Sequence, residues 1–115
     1  MELRKRTRLY VERGRIPTAF IAVNDEVAIG AIHGLQEAGL RVPGDVSVAG
    51  FNNQDICLMP TPTLTSVDQR VEDTIKLAAE VLLPQLTEPQ RSRPIVKMLE
   101  PLLVVRDSTG PAAHG

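Results

Sequence analysis

The fold is decided by residues 18–51, which read TAFIAVNDEVAIGAIHGLQEAGLRVPGDVSVAGF. The first part, Thr18–Val23, is a continuous apolar run whose length and β-branched content are typical of a strand buried on both faces. A helix is predicted from about residue 26 to residue 38, and Val46–Phe51 is predicted to be a second strand. Strand, helix and strand joined by short turns indicate a right-handed βαβ unit with parallel strands.

Both ends of the central helix carry the residue types that favour helix termini. Asn24 and Asp25 precede the helix, and such side chains accept hydrogen bonds from unpaired backbone N–H groups in the first turn. Gly39 follows the helix and can adopt the positive φ of a helix end. The apolar positions between these ends form one stripe, so this face should pack on the sheet. They are Val27, Ala28, Ala31, Leu35 and Ala38, and Ile29 and Ile32 widen the stripe.

Further elements are predicted on either side of the βαβ unit. Pro84 should end a long helix, because proline cannot continue the interior of a helix. Residues 111–115 are expected to form a disordered tail. The remaining predicted elements are a helix over Met1–Arg13, an extended segment over Thr65–Asp68, a helix over Gln69–Leu83 and a strand over Leu102–Val105.

The composition excludes several function classes. The formal net charge is −1 over 115 residues, so general attraction to phosphate or to an anionic membrane is not indicated. No apolar run approaches the roughly 20 residues that span a bilayer. Cys57 is the single cysteine, which excludes an internal disulfide and fits a reducing cytoplasm. We therefore expect a cytoplasmic protein with no membrane partner.

Six blocks of sequence, in order and at consistent spacing, resemble the C-terminal stretch of LacI/GalR transcriptional regulators. Each block alone is weak evidence, whereas the ordered set is specific. The resemblance extends from Ile16 to Gly110. The blocks are Pro17-Thr18-Ala19, Asn24-Asp25, Ala28-Ile29-Gly30-Ala31, Gly39–Phe51, Pro62–Val67 and Leu103–Thr109.

The resemblance implies an α/β fold of the periplasmic-binding-protein-like type I class, with a mainly parallel sheet flanked by helices. Residues 1–110 would then be the C-terminal portion of a ligand-sensing core. The helix after Val67 would belong to the family's N-terminal subdomain, and the preceding segments and the last strand to its C-terminal subdomain. The helix-turn-helix and most of the N-terminal subdomain would be absent from this chain.

The resemblance also implies a function in effector binding and dimerisation of a transcriptional repressor. The expected partners are a sugar-like small molecule, a second copy of the chain, and DNA only through a helix-turn-helix absent from this chain. The sequence contains no catalytic motif, metal-ligand cluster or cofactor fingerprint, so neither an enzyme nor a cofactor is expected. The alternatives are a fragment of a periplasmic sugar-binding protein of the same fold and a small α/β protein with an unrelated role.

Four residues at the ends of neighbouring strands are the candidate ligand-binding residues: Asn24, Asp25, Asn52 and Asn53. In open α/β sheets, ligands bind beyond the carboxyl ends of the strands. Two structural alternatives remain open: Asn24 and Asp25 as caps of the helix alone, and Asn52 as a turn residue with positive φ. The resembling family has Gly-Phe-Asp-Asp where this chain has Gly50-Phe51-Asn52-Asn53. Losing both carboxylates puts a simple monosaccharide effector in doubt.

A protomer interface is predicted on the central helix, at Ile29, Gly30, Ile32 and His33. Gly30 and Gly34 are four residues apart and would let a second backbone approach closely. This position matches where the resembling family dimerises. The alternative is ordinary packing of the same residues inside one domain.

Overall fold

The elements of the chain follow the predicted order of helices and strands. A computed structural model describes residues 2–91 and 93–113. The helices are α1 (Glu2–Glu12), α2 (Asp25–Glu37) and α3 (Val71–Thr87), and short 3-10 helices span Asp55–Leu58 and Pro89–Arg91. The strands are β1 (Ala19–Ile21), β2 (Ser47–Phe51), β3 (Thr65–Asp68) and β4 (Leu102–Val104).

The four strands form one sheet in the order β1-β2-β3-β4. β1, β2 and β3 run parallel, with Phe20 opposite Val48 and Gly50 opposite Ser66. β4 returns antiparallel to β3, with Val104 opposite Ser66. The predicted mainly parallel α/β architecture is therefore confirmed. The carboxyl ends of the three parallel strands lie at one edge of the sheet, which we call the carboxyl edge.

Helix α2 lies within one residue of its predicted bounds, because Asn24 caps its start and Gly39 follows its end as predicted. Asn24 has an extended backbone, and its side-chain Oδ1 accepts a hydrogen bond of 2.8 Å from the N–H of Val27. Asp25 and Glu26 place negative charge in the first turn, where the helix dipole favours it. After the helix, Gly39 adopts a φ of 82°.

The core lies between α2 and one face of the sheet. Helix α1 packs against α2, with Thr7 buried and Val11 half-buried. Ile32 is fully buried in the core, so it cannot contribute to the predicted protomer interface. That prediction now rests on Ile29, Gly30 and His33, which are half-buried. The core residues are Ala28, Ile32, Leu35, Val46, Val48, Cys57 and Leu64.

The opposite face of β1 is exposed, so the prediction that residues 18–23 are buried on both faces is wrong. Phe20 and Ala22 pack against the core. Ile21 and Val23 are 81% and 78% exposed. Alternate residues of a strand point to opposite faces, and within the described residues the core covers only the face that carries Phe20.

Helix α3 begins two residues later than predicted and continues through Pro84. The prediction that Pro84 ends the helix is therefore wrong. A proline removes the one N–H that would bond to the carbonyl four residues earlier, and here only the last turn follows it. In that turn the Pro84 carbonyl accepts hydrogen bonds from the Thr87 hydroxyl at 3.0 Å and from the Glu88 N–H at 3.1 Å.

The apolar residues Val71, Ile75, Ala78, Ala79 and Leu82 form a stripe on one face of α3. This stripe is exposed, since no residue of the helix is buried. Leu77 and Val81 are half-buried and line a groove that Ile95 and Leu99 complete. Ile75 and Leu82, by contrast, are exposed. The chain is elongated, with extents of 62 × 27 × 25 Å.

The C-terminal residues contain no further helix or strand between Pro111 and Ala113. His114 and Gly115 lie outside the described residues. The predicted disorder of residues 111–115 therefore stays a prediction.

Gly50 provides the closest approach between the sheet and α2. A Cβ at this position would overlap the Oδ1 atom of Asp25 and would lie 2.9 Å from Cδ2 of Leu64. Both neighbours are fully buried, so neither can move away easily. The space over Gly50 is the space that the Asp25 side chain occupies.

We expect Gly50→Ala to lower the free energy of unfolding by about 2–3 kcal/mol, because the added methyl group overpacks the core and displaces a buried carboxylate. Urea denaturation followed by circular dichroism measures this change. Gly110→Ala is the matched control: a Cβ there would be in ordinary van der Waals contact with the Pro43 side chain, at 3.5 Å and 3.6 Å. Equal midpoints for Gly50→Ala and the unaltered chain would contradict the prediction.

Candidate functional site at the carboxyl edge

The four predicted ligand-binding residues lie at or just below the carboxyl edge. Asn24 and Asp25 follow β1, and Asn52 and Asn53 follow β2. Three of the four are half-buried, whereas Asp25 is fully buried. The sheet register thus brings together residues that are about 28 positions apart in the sequence.

Asn24 is the N-cap of α2, so the capping role is confirmed. Its Oδ1 atom is held by the Val27 N–H. Within residues 2–91 and 93–113, the Nδ2 group of the same amide takes part in no hydrogen bond. A capping asparagine can therefore still donate a hydrogen bond at the carboxyl edge.

Asp25 is an internal anchor between α2 and the sheet. Its Oδ1 accepts a 2.5 Å hydrogen bond from the Ser66 hydroxyl, and its Oδ2 accepts a 2.8 Å bond from the Gln54 N–H. Both partners are neutral, and the side chain is fully buried. Its oxygens are not accessible to a ligand in this structure. The binding hypothesis therefore rests on the three asparagines.

Cys57 lies in the core beside this carboxylate. Burial raises the pKa of its thiol, and the hydrogen bond and negative charge of Asp25 raise that pKa further. The thiolate form is therefore disfavoured near neutral pH. Cys57 is therefore a buried core residue without an activated thiolate.

Asn52 occupies an unusual backbone conformation at the end of β2. Its φ is 109°, so the turn interpretation describes its backbone correctly. Its N–H donates to the Val67 carbonyl at 2.8 Å, and its Oδ1 accepts a 2.5 Å hydrogen bond from Nε2 of Gln69. A non-glycine residue at such a φ is strained, and strained residues are concentrated at functional sites.

Asn53 links three parts of the structure. Its backbone N–H donates to the Ser66 hydroxyl at 3.0 Å, and its Nδ2 donates to Oδ2 of Asp68 at 3.1 Å. Its Oδ1 accepts a 2.6 Å hydrogen bond from Nη2 of Arg106. With a φ of 53°, Asn53 is also in the left-handed region that asparagine tolerates.

The partners of Asn53 bring charge to the carboxyl edge. The Arg70 N–H donates to Oδ1 of Asp68 at 2.7 Å, and this bond, followed by the one from Asn53, lowers the pKa of Asp68. Arg106 also donates from Nη1 to the Leu64 carbonyl at 2.7 Å. The side chains of Asp68 and Arg106 are half-buried.

Sequence reasoning did not identify Ser66, Asp68, Gln69 or Arg106 as parts of this site. The position of Ser66 and Asp68 in the third parallel strand was an available signal, because parallel strands end at the same edge. Arg106 carried no such signal. Its contact depends on the antiparallel return of β4, which the sequence pattern does not specify.

Neutral amides dominate the accessible chemistry of this edge. An amide can both donate and accept hydrogen bonds, so it suits hydroxyl groups or the edge of a base. Among residues 2–91 and 93–113, no cluster of three histidine, cysteine, aspartate or glutamate side chains is placed to hold a metal ion. No helix in the same part of the chain is long and apolar enough to cross a membrane.

Comparisons with known proteins give a consistent family. Residues 2–109 match the family described as periplasmic binding protein-like domain. A similar curated protein is the HTH-type transcriptional repressor PurR of Aliivibrio fischeri strain MJ11. It is 36% identical over 100 residues, which are 87% of this chain and 29% of that protein. The chain thus spans less than a third of the curated relative.

Solved structures of regulators are similar as well. The lac repressor dimer bound to operator and the anti-inducer ONPF has a TM-score of 0.81 at 31% identity, over 95% of this chain and 37% of that chain. A LacI-type transcription regulator from Bifidobacterium animalis subsp. lactis has a TM-score of 0.81 at 33% identity, over 95% and 39%. The expected periplasmic-binding-protein-like fold is confirmed.

The position of Cys57 predicts a thiol that reacts slowly. We expect iodoacetamide at pH 8 to alkylate Cys57 at least about tenfold more slowly in the folded chain than in urea, because burial and the raised pKa both limit the thiolate. Mass spectrometry over time measures the two rates. Equal rates would mean that the Asp25–Cys57 region is open in solution.

Proposed function

The chain belongs to the periplasmic binding protein-like domain family of LacI-type transcriptional regulators, and we propose that it forms part of the region that binds a small-molecule effector. The observation that carries this proposal is the grouping of Asn24, Asn52 and Asn53 at the carboxyl edge of a parallel sheet. Ligands of open α/β sheets bind at this edge.

The hydrogen bonds inside the site favour an uncharged effector that carries acceptor atoms. Asn24 uses Oδ1 for the helix cap, and Asn52 uses Oδ1 for Gln69. Their Nδ2 groups are left as donors at the edge. Hydroxyl oxygens of a sugar-like molecule or the ring nitrogens and carbonyls of a base accept such bonds. The carboxylate of Asp25, which would suit a ligand rich in donors, is already occupied.

A regulator is favoured over a periplasmic sugar-binding protein of the same fold, because a relative at 36% identity is a transcriptional repressor. We propose a non-enzymatic role in the cytoplasm. DNA would be bound through a helix-turn-helix outside these residues, and the regulator would act as a homodimer. The predicted protomer interface at Ile29, Gly30 and His33 belongs to this proposal.

We expect Asn52→Ala to weaken effector binding by about 1–3 kcal/mol, because the substitution leaves a buried polar group of the ligand without its partner. A calorimetric screen of a regulator containing this chain against ribose, galactose and hypoxanthine supplies the probe. Gln36→Ala is the matched control, since it also removes an amide but lies at the C-terminal end of α2. Unchanged affinity for Asn52→Ala would return Asn52 to a purely conformational role.

We also expect the 115-residue chain to self-associate at micromolar concentration, because exposed contiguous apolar surface favours association. Sedimentation equilibrium measures the oligomeric state. Leu86→Glu should shift the population towards monomer, because Leu86 extends the exposed apolar stripe of α3. Thr87→Glu adds the same charge one residue away and serves as the control. A folded monomer in the unaltered chain would refute this expectation.

A further inference from the structure

The side-chain amide of Asn53 uses both of its ends at once. The Nδ2 group donates to the Asp68 carboxylate, and the Oδ1 atom accepts from the Arg106 guanidinium. The backbone N–H of the same residue donates to Ser66. One residue therefore joins the end of β2 to β3 and to the segment that follows β4.

The amide of Asn53 matches both of its partners in this chain. A carboxylate is an acceptor only, so it would keep the bond from Arg106 but would face Asp68 as a second acceptor and a like charge. An aliphatic side chain would lose both bonds. The amide at residue 53 donates and the carboxylate at residue 68 accepts, so the two side chains complement each other.

We propose that Asn53 is a positioning residue of the effector site, whose amide bridges Arg106 and Asp68 and thereby fixes the backbone that presents Asn52. The part of this proposal that concerns the effector rests on the proposed function. The bridge itself does not.

The backbone at this point needs such support. Asn52 and Asn53 have φ angles of 109° and 53°, two consecutive positive values on non-glycine residues. Strained conformations of this kind persist only where surrounding contacts hold them. The contacts here are the bond from the Asn52 N–H to Val67 and the three bonds of Asn53.

The charged groups around the bridge set its response to pH. Asp68 faces the N–H and guanidinium of Arg70, while Arg106 reaches it through Asn53. On the other side, Asp25 is connected through the Ser66 hydroxyl. The lowered pKa of Asp68 means that its stabilising contribution is present above its unfolded pKa. That contribution is lost as the pH falls through the lower folded value.

The decisive variant is Asn53→Asp in the full chain. Two carboxylates would then face each other, and at pH 7 the folding equilibrium constant should fall by about tenfold, as expected for a like-charge shift of one pKa unit. In this variant, like-charge repulsion would raise the apparent pKa of the pair in the folded state by about one unit above the ordinary aspartate value, so stability would be lost as the pH rises through about 5. The variant should therefore recover relative to the unaltered chain as the pH falls from about 5 towards about 4.

Exchanging the two side chains tests the direction of donation. In the double variant Asn53→Asp, Asp68→Asn the amide lies on β3 and donates to the carboxylate at residue 53, so most of the lost stability should return. Asn52→Asp is the matched control: its charge change is the same, but its Oδ1 accepts from Gln69, a bond that a carboxylate also accepts. Adding Asp68→Asn to that control should rescue nothing.

The side-chain amide resonance of Asn52 in a ¹⁵N–¹H spectrum reports positioning directly. It should move in Asn53→Asp and return in the double variant. The proposal is overturned if Asn53→Asp is as stable as the unaltered chain at pH 7, if the exchange gives no recovery, or if the Asn52 resonance does not move. None of these measurements uses an effector. If the double variant recovers its stability but none of the small molecules in the calorimetric screen binds, only the proposed function is refuted.

Discussion

The fold of this chain depends on one buried carboxylate. Asp25 lies at the start of α2, above Gly50 of β2, and reaches the hydroxyl of Ser66 on β3. Burying a charge is costly unless its hydrogen bonds are satisfied, and here each oxygen has a donor. The same residue therefore sets where α2 begins, why the residue beneath it is glycine, and how far β3 lies from the helix. The Asn24 cap precedes this anchor by one residue, so the helix start and the carboxyl edge are fixed together.

The parts of the fold that depend on local signals could be predicted from the sequence. The cap at Asn24 and the glycine at residue 39 predicted both bounds of α2 to within one residue. The apolar runs predicted both strands of the βαβ unit. The incorrect predictions concern features that local patterns do not determine. Pro84 is tolerated because only one turn of α3 follows it. Ile32 is as apolar as an interface residue would be, and only the packing of α2 shows that it belongs to the core.

The candidate site was predictable in position but not in its hydrogen bonds. Polar residues after consecutive parallel strands must meet at one edge, and this placed Asn24, Asn52 and Asn53. The sequence could not distinguish Asp25 from its neighbour Asn24, although one is fully buried and the other half-buried. That difference arises from the glycine on β2 and the serine on β3, which are 25 and 41 residues away along the chain. Long-range contacts of this kind appear only after the sheet register is known.

Structural roles at this edge are compatible with ligand binding and can strengthen it. An amide that is free to rotate loses conformational entropy when it binds a ligand, and this loss weakens affinity. The cap holds the Asn24 amide, the Gln69 bond holds the Asn52 amide, and the bridge to Arg106 and Asp68 holds the backbone between them. The bonds of Asn24 and Asn52 engage only the Oδ1 acceptors, so the Nδ2 donors of the same two amides are held in fixed directions. The protein itself therefore holds the side chains of the carboxyl edge in place, as the supporting residues of the proposed effector site would need to be held.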